Sequence, residues 1–112
     1  MKIEDWKKLL SILDSQYSIF LLEYPTMKNG RNKKIRENSE RKVYNSIQLS
    51  CNWITDYPEA YQLLTGKDNT DFGRHIIWDE FSRPNYFGSD MSEFLEKIKD
   101  KIKSLEEKSD IE

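Results

Sequence analysis

Apolar side chains recur at alternating steps of three and four between residues 3 and 24: Ile3, Trp6, Leu10, Leu13, Tyr17, Phe20 and Tyr24. Such spacing returns to one side of an α-helix and predicts a helix whose stripe enters a core. Leu9, Ile12 and Leu21 widen the stripe, and Glu4 and Asp5 place carboxylates in the first turn, where the helix dipole favours them. Tyr24 precedes Pro25, which disfavours helix at that point. Pro25, Asn29, Gly30 and Asn32 are turn formers, so residues 25–33 read as a loop.

Periodicity resumes over residues 34–55, with Val43, Ile47, Cys51 and Ile54 on the buried side and Leu49 and Trp53 on an adjacent face. A short helix is expected over 57–65. Asp56 would be its cap, Pro58 suits its first turn, Gly66 would end it, and Tyr57, Tyr61 and Leu64 would face inward. Residues 67–71 read as a polar turn. Over 72–82, Phe72, Ile76, Ile77 and Phe81 fit an amphipathic helix, with a short strand near 75–78 as the alternative. Arg83-Pro84 breaks the pattern, and Asn85-Tyr86-Phe87-Gly88 reads as a turn carrying two aromatics. A last helix is expected over 90–108. Asp90 and Glu93 form a capping-box pattern, Met91, Leu95, Ile98, Ile102 and Leu105 supply the stripe, and Glu93–Lys97 is a favourable pair. The ends at 109–112 should fray. The fold class this implies is all-α: a small bundle of four to five helices.

Composition sharpens this picture. A chain of 112 residues fits one domain, here 1–112, and should bury about two-thirds of its unfolded surface. One core then suffices without metal or disulfide. Hydrophobic residues are only 37% and charged residues 34%, but three Trp, five Phe and six Tyr bury much area each. Cys51 is the sole cysteine, so no intramolecular disulfide can form. No apolar leader follows a basic start, and the longest apolar run, Ile19-Phe20-Leu21-Leu22, is far too short to cross a bilayer. A cytoplasmic protein without membrane contact is the expectation.

Charge is distributed unevenly. Residues 28–42 carry Lys28, Arg31, Lys33, Lys34, Arg36, Arg41 and Lys42 against Glu37 and Glu40, a local +5 in a chain whose net charge is −2. The segment could steer and hold an anionic partner. It holds no aromatic side chain on which bases could stack, and it also fits an ordinary solvated loop and helix start.

Candidate chemistry is sparse. Gly30, Gly66, Gly73 and Gly88 form no phosphate-binding loop. One Cys and one His cannot make a standard zinc site, so neither metal nor cofactor is expected. Cys51 falls on an apolar stripe, where a small buried hydrophobe is the ordinary reading. On a helix His75 and Asp79 would share a face, with Glu80 and Arg83 nearby. These four are the catalytic set if the chain is a small hydrolase or nuclease centred on His75. A two-residue pairing of this kind also arises commonly by chance and then serves only as a surface ion pair.

Trp53, Tyr57, Tyr61, Trp78, Tyr86 and Phe87 exceed what a small bundle needs to bury, and Arg83, Tyr86 and Phe87 on a Pro/Gly-fixed turn would make a presenting loop. The balance favours a non-catalytic binding protein docking onto a macromolecular partner. An inhibitor, antitoxin, immunity protein or phage-defence antagonist of prokaryotic or phage type would fit. A protein partner is the first expectation. Nucleic-acid binding through 28–42 and self-association along the long helices are the alternatives.

Overall fold

Residues 1–66 and 84–111 are described by a computed structural model, with side chains over 1–66 and 87–108. The described chain is all-α, with four helices: α1 (Ile3–Asn29), α2 (Lys33–Thr55), α3 (Pro58–Thr65) and α4 (Pro84–Ile111). The expected helix or strand over 72–82 and the polar turn at 67–71 lie outside the described residues.

The apolar stripes meet as their spacing requires. Trp6, Leu9, Leu13 and Phe20 of α1, Val43, Ile47, Cys51 and Ile54 of α2, Ala60 and Tyr61 of α3, and Met91, Leu95, Ile98 and Ile102 of α4 form one buried cluster. Phe94 joins it from a position the four-three spacing of α4 skips. Leu21, expected to widen the α1 stripe, is instead exposed. It lies past the edge of the arc that α2 and α4 cover.

Three boundaries differ from the sequence expectation. α1 runs through Pro25 to Asn29 rather than giving way to a loop at 25. Proline costs a helix interior about 3 kcal/mol, but side chains on either side anchor this turn. Phe20 stacks on Tyr24 at 4.9 Å, Lys28 Nζ lies 4.8 Å over the Tyr24 ring, and Glu23 accepts from Ser39 Oγ at 2.8 Å. Side-chain pairs within α1 and the bond from α2 together override the local preference. The loop shrinks to the corner at residues 30–32, where Gly30 N–H donates to Thr26 O at 2.8 Å and Asn32 Oδ1 accepts from Ile35 N–H at 2.9 Å, capping α2.

The second difference is at Asp56, which ends α2 instead of capping α3; Tyr57 occupies the cap position, followed by Pro58. Gly66 closes α3 with φ 73°, the left-handed conformation expected of a terminating glycine. The third is α4, which begins at Pro84, six residues before the Asp90 capping pattern. The expected turn over 85–88 is helix. Gly88 permits this. A Cβ there would lie 3.3 Å from the Phe20 ring, and its carbonyl accepts from Tyr17 Oη–H at 3.1 Å.

α1 lies between α2 and α4 and makes the most extensive contacts with both. Ser39, Ser46 and Ser50 of α2 are buried, and Ser39 meets α1 through its bond to Glu23. The Tyr17–Gly88 bond near one end and the Lys7–Glu106 ion pair (3.1 Å) near the other show that α4 runs antiparallel to α1 and is displaced towards the α1 N-terminus. The last turns of α1 and first turns of α2 therefore project past α4 as a two-helix tip. The molecule is correspondingly long, 58 × 31 × 17 Å over its described Cα atoms. No helix among the described residues is long and apolar enough to cross a membrane.

Candidate cationic docking tip

The projecting tip is where residues 28–42 fall. Its seven cations divide by what they already do. Lys28 sits over Tyr24, Lys33 pairs with Glu37 at 3.7 Å, and Lys42 reaches Glu23 at 3.5 Å. Arg36 turns back and donates through Nη1 to Gly30 O at 2.8 Å, holding the corner closed. Arg31, Lys34 and Arg41 are exposed, and none of the three is in an ion pair among the described residues. Arg41 lines an open cleft together with Glu37, Glu40 and the exposed Tyr44. Exposed ion pairs contribute about 0–1 kcal/mol each, so Lys33 and Lys42 are also open to an exchange of partner.

α2 presents two unlike sides because Val43, Ile47, Cys51 and Ile54 turn one side to the core. The opposite side holds Lys34, Asn38, Arg41, Asn45, Gln48 and Asn52, all exposed. Their four-three-four-three-four spacing follows one face of the helix. Charge alone marks only the cations of this face; the amides continue it at the same helical period.

The aromatic candidates are mostly structural. Phe87 is fully buried and meets Phe20 edge-on at 4.9 Å, so it packs α4 on α1 rather than presenting to a partner. Tyr61 is buried; Trp53 and Tyr57 are half-buried and stack at 6.3 Å, with Lys8 Nζ 5.6 Å above the Trp53 ring. Tyr86 is placed in α4 by its backbone alone. Trp78, His75, Asp79, Glu80 and Arg83 lie outside the described residues.

An open cleft of about 390 Å³ near α3 is lined by Trp6, Glu59, Gln62, Leu63 and Lys101. Glu59 there accepts from the Met1 amino group at 2.6 Å. Trp6 Nε1 has no acceptor among the described residues, but the atom is closed off from solvent and so from the cleft. No group of three or more His, Cys, Asp or Glu side chains able to hold a metal ion occurs among the described residues.

Cys51 is fully buried, and burial pushes its thiol up from 9.0 to about 12. The thiolate is the reactive form, so this sulfur is held inert. In the native protein at pH 8, Cys51 should resist alkylation by iodoacetamide and react only after denaturant is added. Rapid native-state labelling would contradict its placement. The same shift links stability to pH. The folded thiol keeps its proton above the pH at which the unfolded thiol loses it, so this contribution is complete below about pH 9. It is lost progressively as pH rises towards about 12.

The chain matches no protein-family model, and neither a curated protein nor a solved structure is significantly similar to it.

Proposed function

We propose that the chain is a binding protein that acts by docking the cationic α1–α2 tip onto an anionic macromolecular partner. The observation that carries this reading is the exposure of Arg31, Lys34 and Arg41 at a projecting end of local charge +5, none of the three held in an ion pair among the described residues. Positive charge concentrated at an extremity raises the rate and fixes the orientation of encounter with a negative surface. The inert Cys51 supports docking over thiol chemistry.

Reversing Arg31, Lys34 and Arg41 together to Glu tests the proposal. All three are exposed, so the fold should be retained, as circular dichroism would check. Partners recovered by crosslinking with the parent protein should bind the triple variant at least about tenfold more weakly, and the parent's affinity should fall with added salt. Equal affinity of the triple variant for every recovered partner would rule the tip out as the docking surface.

A further inference from the structure

We infer that the outer face of α2 is a recognition surface for the major groove of duplex DNA, an inference that rests on docking through the tip and names the partner. Lys34, Asn38, Arg41, Asn45, Gln48 and Asn52 are exposed in one row opposite the buried side of α2. At 1.5 Å per residue the row is about 27 Å long. Glu37 borders the row one turn from both Lys34 and Arg41 and is paired with Lys33 at 3.7 Å, while Glu40 lies farther round the helix.

The composition of the row selects the partner. Asn and Gln carry a donor and an acceptor on one planar group, which matches the N6 and N7 edge of adenine, while Arg matches the O6 and N7 edge of guanine. A purely charge-driven contact with an acidic protein gains nothing from four amides. Asn is also a poor helix former, so three of them on exposed positions of α2 give up stability that Lys, Glu or Ala would supply. Single strands are bound through stacking on successive aromatic rings, and here a single exposed ring, Tyr44, stands beside the row. The deep, narrow major groove of duplex RNA excludes a helix, whereas the groove of B-form DNA, about 12 Å wide, admits one.

The tip completes the arrangement. With the α2 row along the groove, Arg31, Lys33 and Lys42 stand at the end and flank of the same helix, where phosphates border the groove. Those cations position the helix without reading sequence, and the amides read it. The net negative charge of the rest of the chain turns the other surfaces away from the polyanion.

The test is selection from a random-sequence duplex DNA pool with the full chain, followed by affinity measurements on enriched and unenriched duplexes. The comparison variant is Asn38→Ala, Asn45→Ala, Gln48→Ala and Asn52→Ala combined, in which every change raises helix propensity. The parent protein should enrich duplexes sharing a short adenine-containing element and prefer them by tenfold or more. The amide variant should lose that preference while keeping the salt-sensitive affinity for unenriched DNA. Failure to enrich any sequence, or an undiminished preference in the amide variant, would overturn the inference. Binding confined to RNA, single strands or an acidic protein would also overturn it. If that other binding is still abolished by the Arg31, Lys34 and Arg41 reversal, the docking reading survives; if the reversal changes nothing, both fail.

Discussion

Replacing Phe87 by Ala is expected to lower the unfolding free energy by about 3–5 kcal/mol, the range for truncating a buried Phe. Phe87 is fully buried and packs edge-on against Phe20, one position from the Gly88 carbonyl that accepts the Tyr17 hydroxyl. Truncation would open a cavity at the junction where the start of α4 meets α1, and Gly88, having no side chain, cannot fill it. A domain of this size is stable by about 5–15 kcal/mol, so the variant should stand close to unfolding at 25 °C. Urea denaturation should show a much earlier midpoint with an unchanged slope. Leu22→Ala supplies the contrast. Leu22 is of similar hydrophobicity but 73% exposed, and its truncation should shift stability by no more than about 0.5 kcal/mol. If the two variants unfolded at the same urea concentration, Phe87 would not be a core residue, and the junction of α1 and α4 would be misplaced.

That junction also marks where local sequence signals stop being sufficient. The core of α2 was legible in full: Val43, Ile47, Cys51 and Ile54 follow strict helical spacing and are all buried. Most of the α1 stripe was legible for the same reason. Phe87 was not, because Arg83-Pro84 and Gly88 are turn signals when judged by their own conformational preferences. Their meaning is reversed by position. A proline at the start of a helix gives up no hydrogen bond, and Gly88 lets the Phe20 ring come within 3.3 Å of where a Cβ would stand. Pro25 misled in the same direction, since the bond that Glu23 accepts from Ser39 of α2 lies outside any local window. Of the docking tip, the charge was legible and its exposure was not. Nothing in the spacing of Lys28 to Lys42 reveals that α4 is displaced and leaves this end projecting. The row of amides on α2 was legible by period alone, but its significance depends on knowing which side of the helix the core occupies.

Gly30→Ala is expected to cost about 1–3 kcal/mol, the range for forcing extra volume into a packed site, and to weaken docking without changing a charge. Gly30 has φ −58° and ψ 150°, a conformation open to any residue, so its requirement is space. An added Cβ would lie 2.6 Å from the Thr26 carbonyl oxygen and 3.0 Å from Arg36 Cγ. To relieve the first clash the corner must move, stretching the bond from Gly30 N–H to Thr26 O and the bond from Arg36 Nη1 to Gly30 O, both 2.8 Å. Those two bonds set the angle at which α2 leaves α1, and hence where Arg31 and Lys34 point. Gly66 is the opposite case: its φ is 73°, and nothing lies within 4 Å of an added Cβ. Its requirement is conformation, and Gly66→Ala should cost about 1–2 kcal/mol. Asparagine tells the two apart because it tolerates the left-handed region. Gly66→Asn should recover part of the loss, whereas Gly30→Asn should be at least as damaging as Gly30→Ala. Thermal and urea unfolding of the four variants would decide. A Gly30→Ala protein with parental stability would mean that the corner is slack, and a slack corner could not aim the cations of the tip at any partner.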